Sequence, residues 1–329
     1  MLRRQFGRAL CAAAISLITL ASPALSQSFP DRPITLIVPF AAGGPSDVLG
    51  RLLAQSMSQT LGQTVVIENV GGAGGTTGAA RLARAPADGH TLLIHHLALA
   101  AGATLYNNLS YDTLKDFAPI GLVNQGPFVV VSKNGLPATS IAEFLAYAKA
   151  QGRGVTFGHA GVGSGAHLCL MLLQSALGAK FNEIPYRGTG PAMNDLVAGQ
   201  IDAMCDQTTN SIPQIQGGRV RAYAVTSTAR VAQLPDLPTL QQAGLAGFEV
   251  TVWHALYAPR GTAEPVVQKL NQALEVALKD PQILARFADL GTVAFAEGQR
   301  GPAAARAQLE AEVAKWARVI REAGITVSN

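Results

Sequence analysis

Four glycine-rich stretches carry most of what this sequence could do chemically. Pro39-Phe40-Ala41-Ala42-Gly43-Gly44-Pro45-Ser46-Asp47 joins a strand-like run to a helix-like one. Glycine lets the backbone approach a ligand closely, and the free N–H groups of a helix start favour an anion such as a carboxylate. Gly71 to Gly78 is a second such loop; it lacks the lysine of a phosphate-binding P-loop, which argues against a nucleoside triphosphate. Arg187-Gly188-Thr189-Gly190-Pro191 offers N–H groups, a hydroxyl and a guanidinium. A tight turn without a ligand uses the same residues, and spacing alone does not choose.

The fourth stretch, Gly161-Val162-Gly163-Ser164-Gly165-Ala166, matches G-x-G-x-x-G/A, with Glu183 about 20 residues further on. That pattern supports an alternative, an exported nicotinamide-dependent oxidoreductase, although exported proteins rarely carry such cofactors. Ser164 is out of register for a nucleophile elbow, and no acid is visibly paired with the flanking His159 and His167. His95 and His96 are adjacent on a strand, which points them to opposite faces and disfavours a shared metal. Either one also serves as a hydrogen-bonded structural histidine. Asp206 ends a strand; there a carboxylate would repel an anion unless it accepts from a hydroxyl, an amine or backbone N–H.

The elements that must hold these loops alternate short apolar strands with amphipathic helices. Ile34 to Phe40, Val65 to Ile67, Thr91 to His95, Phe128 to Val131, Val155 to Phe157, Phe181 to Ile184, Ile201 to Cys205 and Val220 to Val225 read as strands. Val48, Leu52, Leu53, Met57 and Leu61 mark one helix, with Pro45 at its first position and Asp47 complementing its dipole. Ser140-Ile141-Ala142-Glu143 is a capping box. Val266, Leu270, Leu274 and Ala277 mark a late helix, and Leu309, Val313, Trp316 and Ile320 another with Gly324 as its stop.

This rhythm predicts an α/β fold with mostly parallel sheets flanked by helices. The length suits two lobes, with Ala118 to Val131 and Phe248 to Ala258 as crossings. The boundaries expected are 27–124 and 249–329 for a discontinuous first lobe and 125–248 for the second. A cleft between lobes joined by two crossings closes around a small ligand.

The chain has 329 residues, 48% of them hydrophobic, which excludes a disordered class, and a formal charge of +4. Much of that charge sits in residues 1–26, which read as a cleavable signal peptide: Arg3, Arg4 and Arg8, an apolar run from Ala9 to Ala21, then Ala24-Leu25-Ser26. The alternative, a membrane anchor, needs roughly 18 apolar residues, and Ser16 and Thr19 interrupt this run. Arg3-Arg4-Gln5-Phe6 leaves the export route, Sec or Tat, open. The expected product is periplasmic and close to neutral, with no basic cluster for nucleic acid. Cys169 and Cys205 sit in apolar runs and are expected as small buried hydrophobes rather than as a bridge.

Taken in order, the motifs resemble the Bug/TctC family, the periplasmic substrate-binding proteins of tripartite tricarboxylate transporters. The similarity runs from Phe29-Pro30-Asp31-Arg32-Pro33-Ile34 to Ala323-Gly324-Ile325. Its blocks are Val38-Pro39-Phe40 with Gly43-Gly44 and Asp47, Gly72-Ala73-Gly74-Gly75, Ala87-Asp88-Gly89-His90-Thr91-Leu92-Leu93, and Tyr111-Asp112 through Lys115-Asp116-Phe117-Ala118-Pro119. Ile184-Pro185-Tyr186-Arg187-Gly188, Leu234-Pro235-Asp236-Leu237-Pro238-Thr239 and Ala258-Pro259 with Gly261-Thr262 follow.

The resemblance implies a two-lobed "Venus flytrap" that captures a small carboxylate, mono-, di- or aromatic, without catalysis, cofactor or metal. Its partners would be transporter subunits in the membrane or, alternatively, a sensor kinase, and the chain would be a monomer. The implied ligand residues in the first lobe are Phe40, Ala41, Gly43, Gly44, Ser46, Asp47, Gly74, Gly75, Thr76, His95 and His96. Those in the second are His159, Gly161, Ser164, Arg187, Gly188, Thr189, Ala192 and Asp206, with Gln207 beside it. His95-His96, His159 and Cys205-Asp206-Gln207 depart from what is common in the family, which bears on the ligand and not on the fold.

Overall fold

β1 (Ile34–Val38) is buried along nearly its whole length because it lies between two parallel neighbours, β2 (Val65–Asn69) and β3 (Thr91–His96). β9 (Thr251–Pro259) runs antiparallel beside β3, and β4 (Phe117–Lys133) antiparallel beside β9. β4 belongs to both lobes. Its first part, Phe117 to Pro127, pairs with β9, and from Phe128 onward it pairs with β7 (Ala203–Gln207) and β8 (Val220–Val225). Beyond β7 lie β5 (Thr156–His159) and β6 (Asn182–Pro185), parallel to each other, and the short β10 (Val293–Ala294) adds to β4. This computed structural model describes residues 29–324, so the export signal expected over 1–26 lies outside the described residues.

The sheet is therefore mixed, where the sequence suggested mostly parallel strands. The outer strands of each lobe are parallel, as βαβ units require. The strands at the junction, β4, β9, β7 and β8, pair antiparallel because each return between lobes brings the chain back beside an earlier strand. Hydrophobic periodicity shows which segments are buried but not which way they run.

Ten helices cover the described sheet. In the first lobe these are α1 (Pro45–Leu61), α2 (Thr76–Ala83) and α3 (Leu97–Leu105), with α8 (Glu264–Ala277), α9 (Pro281–Asp289) and α10 (Pro302–Glu322) from the end of the chain. The second lobe has α4 (Ile141–Gln151), α5 (Gly165–Leu177), α6 (Thr189–Val197) and α7 (Thr208–Gln216). Local signals start and stop them. Pro45 opens α1 and Gly62, at φ 69°, closes it. At α4 the Ser140 hydroxyl accepts from the Glu143 N–H, while the Glu143 carboxylate reaches back to the Thr139 N–H, one residue beyond the usual capping-box partner.

One apolar cluster joins the face of the first lobe under α3 and α10 to that of the second under α4 and α5. It includes Cys169 on α5 and Cys205 on β7, which form a disulfide with a Cα–Cα distance of 6.2 Å. The expectation of two free buried cysteines is thereby corrected. Helix and strand lie 36 residues apart in sequence but pack face to face, and only tertiary packing brings the sulfurs together.

Candidate functional site

The N-termini of five helices meet at one small cavity between the lobes. α1 brings Gly44, Pro45 and Ser46; α3 brings His96, its N-cap; α5 brings Ser164, Gly165 and Ala166; α6 brings Thr189; α7 brings Gln207. Phe40, Phe128, Ala160 and Asp206 complete the wall. A helix N-terminus carries about half a positive charge on unsatisfied N–H groups, so this convergence makes the cavity attractive to an anion without a single lysine or arginine in its lining. The cavity has room for about one water. A larger ligand enters only when the lobes part.

The first loop is braced from inside. Asp47 is buried, and its carboxylate accepts from the Gly43 N–H (3.0 Å), from the Arg51 guanidinium (3.0 and 3.1 Å) and from Asn69 Nδ2 (2.9 Å). Burial alone would raise its pKa, but Arg51, Gly43 and Asn69 together hold it below the usual value. Asn69 also donates to the Phe40 carbonyl (3.1 Å), a strut that no motif announced.

Across the cleft the loops touch directly. The Ala41 N–H donates to the Arg187 carbonyl at 2.9 Å. The Tyr106 hydroxyl reaches the Val162 carbonyl at 2.7 Å and lies 3.0 Å from the Ala73 carbonyl. A Cβ on Gly71 would stand 2.7 Å from the Arg187 oxygen, and one on Gly74 would fall inside the Val162 carbonyl. The second glycine loop thus touches the opposite lobe but does not line the cavity.

The histidines divide by role. His95 stands behind Gly75, and its Nδ1 accepts the His96 N–H (2.8 Å). His96 lines the cavity, stacked on Phe40 at 5.0 Å and 9°. Its Nδ1 accepts the Ala98 N–H (3.1 Å), which leaves the ring proton on Nε2. The two rings are 5.3 Å apart rather than on opposite faces, because the strand ends at His96 and the chain turns there into α3. Sequence reasoning missed His254, the β9 residue in register with His96; its Nε2 lies 3.1 Å from Ser46 Oγ. Strand register is what joins them, and a sequence does not display register. Burial pushes the pKa of all three rings down, that of His96 to about 3.

In the second lobe, Asp206 is fully buried and accepts from the Gln207 N–H (2.9 Å) and from Asn210 Nδ2. Burial pushes its pKa up to about 6 against those bonds. His159 lies behind the cavity, where it, His167 and Glu183 bring donor atoms within 4.8 Å of one another. The types suit a zinc-like ion. However, His167 Nδ1 accepts the Gly163 N–H (3.0 Å), so Nε2 carries the proton and donates it to Glu183 (3.0 Å). Binding a metal there would give up both bonds. The sequence showed no acid paired with His167, and the structure supplies one. His167 and Gln174 hold Glu183 down to about 2, each bonding one of its carboxylate oxygens.

Of the residues implied by the sequence, Phe40, Gly44, Ser46, His96, Ser164, Thr189 and Asp206 line the cavity. Ala41, Gly74, Gly161, Arg187 and Gly188 lie where the loops touch across the cleft; the Arg187 side chain itself is exposed. Gly43, Asp47, Gly75 and His95 support the loops from behind, Thr76 faces an outer groove, and Ala192 is in the apolar core of the second lobe. Phe128, Ala160 and Gln207 are added to the wall.

The profile described as "Tripartite tricarboxylate transporter family receptor" matches residues 49–325. The chain belongs to the TctC family. A relative from Agrobacterium vitis, the "UPF0065 protein in the TAR-I ttuE-ttuC' intergenic region", is 50% identical over 298 residues, 91% of this chain and 86% of the relative. The structure of the periplasmic binding protein BugD superposes with a TM-score of 0.88 at 45% identity, covering 91% of this chain and 99% of BugD. MatC from Rhodopseudomonas palustris, solved with bound malate, gives 0.86 at 40% identity, covering 89% of this chain and 100% of MatC. BugD is a periplasmic binding protein, and no helix among the described residues of this chain is long and apolar enough to cross a membrane.

Proposed function

We propose that this TctC-family protein is an exported, non-catalytic receptor that closes around a small carboxylate and presents it to membrane subunits of a tripartite tricarboxylate transporter. The observation that carries the reading is the meeting of five helix N-termini on one closed cavity between two lobes. Anion recognition then comes from local N–H groups and neutral side chains, as suits a chain whose charge lies largely in its first residues. The bound malate of MatC is consistent with a carboxylate ligand here. The lobes are assigned as 27–124 with 249–329, and 125–248; β4 and the segment before β9 act as the hinge. At that hinge the Val250 N–H donates to the Thr226 carbonyl (3.2 Å).

The test is a thermal-shift series on protein unfolded and refolded to remove any co-purified ligand. A cognate carboxylate at about 100 times its Kd stabilises by about 2.7 kcal/mol, several degrees in melting temperature. If no mono-, di- or aromatic carboxylate raises the melting temperature, the reading is wrong.

A further inference from the structure

The polarity of the cavity is divided. On the side of the first lobe stand donors. His96 is neutral with its proton on Nε2, fixed by the Ala98 N–H on the other nitrogen. Ser46 Oγ lies 3.1 Å from His254 Nε2, and His254 Nδ1 is buried without a partner. A buried N–H left unpaired costs more than a buried lone pair, so the His254 proton belongs on Nε2, directed at Ser46. The Ser46 hydroxyl then accepts from His254, and its own proton is free for the cavity.

Opposite them, among the helix starts of the second lobe, stand two acceptors. Asp206 lines the cavity, and no cation among the described residues pairs with its carboxylate; its partners are the Gln207 N–H, Asn210 and the neighbouring Thr189 hydroxyl. Gln207 Oε1 is buried with no hydrogen-bond partner, and Gln207 also lines the wall. An ionised acid with only oxygen acceptors would satisfy the first wall and bring its remaining surface against a carboxylate and an unpaired amide oxygen. A group left facing them without a proton to give leaves buried acceptors unsatisfied.

We infer that the ligand is a small carboxylic acid carrying its own hydrogen-bond donor, a hydroxyl or an amine, with the carboxylate toward Ser46 and His96 and the donor toward Asp206 and Gln207. The inference rests on the carboxylate reading above and narrows it. A site built to receive a donor discriminates against the analogue that lacks it more strongly than an apolar pocket discriminates by size. His254 is a positioning residue in this scheme, since it touches Ser46 and is not in the cavity wall.

The experiment is calorimetric titration of ligand-free wild-type protein at pH 7.5 with two matched series: propionate, lactate and alanine; succinate, malate and aspartate. We expect a hydroxy or amino acid to bind at least tenfold more tightly than its unsubstituted partner; the preferred member shows whether the donor is a hydroxyl or an amine. In Asp206→Ala that preference should collapse to threefold or less, with circular dichroism confirming the fold. For His254, the effect of His254→Leu on affinity should largely disappear when measured in a Ser46→Ala background, and His254→Gln should restore part of it. Binding of succinate or propionate as tightly as both substituted partners would overturn the inference and leave the carboxylate reading standing. If none of the six acids binds, the inference falls, and the thermal-shift series above decides the carboxylate reading separately.

Discussion

The Tyr106 hydroxyl, at the end of α3 in the first lobe, donates to the Val162 carbonyl of the second lobe at 2.7 Å. It is a side-chain bond between lobes, as is the one from the Thr208 hydroxyl to the Gly291 carbonyl at 3.1 Å. Contacts of this kind belong to the closed arrangement and are absent once the lobes part.

Tyr106→Phe removes this bond together with the hydroxyl's 3.0 Å contact to the Ala73 carbonyl. A neutral hydrogen bond contributes about 0.5–1.5 kcal/mol, so ligand affinity should fall about three- to tenfold. The change should appear mainly in the dissociation rate, while the melting temperature of the ligand-free protein stays nearly constant. Stopped-flow release kinetics check this, and an unchanged off-rate refutes it.

Gly74→Ala acts on closure by sterics. Gly74 has φ 62°, and a Cβ there would fall inside the Val162 carbonyl. The loop is at the surface of its own lobe, so the variant should fold, but the lobes could not meet as they do here. A loss of affinity of about a hundredfold is expected by calorimetry. Small-angle scattering with saturating ligand should show a larger radius of gyration than wild type.

Asp206 makes a pH-dependent contribution with an unusual sign. Its pKa is raised by burial from 3.8 to about 6. Well below pH 3.8 it is protonated in both folded and unfolded chains and costs nothing. As pH rises to 6 the unfolded chain loses the proton while the folded one keeps it, so stability falls across that window and levels off above it. At about 1.4 kcal/mol per pKa unit the full cost is about 3 kcal/mol. Asp206→Asn should remove this slope: in urea denaturation of ligand-free protein, the stability of the variant relative to wild type should rise from pH 4 to pH 6.5. A flat difference would show that the raised pKa is wrong.

The Cys169–Cys205 bridge spans 36 residues, a loop whose closure in the unfolded chain is worth about 3–4 kcal/mol. Cys169→Ala combined with Cys205→Ala should lower the unfolding free energy by about that amount, with ligand affinity kept. Urea curves of the double variant and of wild type with and without reductant make the comparison. A difference below about 0.5 kcal/mol would mean that the bridge does not form.

Much of the scaffold was legible in particular residues. Pro45 and Asp47 announced the start of α1, Ser140 and Glu143 that of α4, and the apolar runs announced most of the strands. These signals are local: a cap or a breaker acts within one turn. α2, α3, α7 and α9 went unread, because each is short. Cavity residues at a strand end or a helix start, such as Ser46, Ser164 and Asp206, could be placed from the strand–helix pattern. His254 and Phe128 could not, since they lie within strands and face the site only through register with β3 and β7.

The sequence by itself determined the α/β class, the two-lobed plan, the family and the glycine loops between strand and helix. These depend on periodicity, on glycine and proline conformational limits and on ordered motifs, all written along the chain. Tertiary structure decided which loops line the cavity and which merely touch across it. It also decided that strands at the junction run antiparallel, that Cys169 meets Cys205, that His167 owns Glu183, and that donors face acceptors across the site. The physical reason is common to all of these. Each is a contact between segments tens to hundreds of residues apart, fixed by strand register and helix packing, and no local rule encodes it.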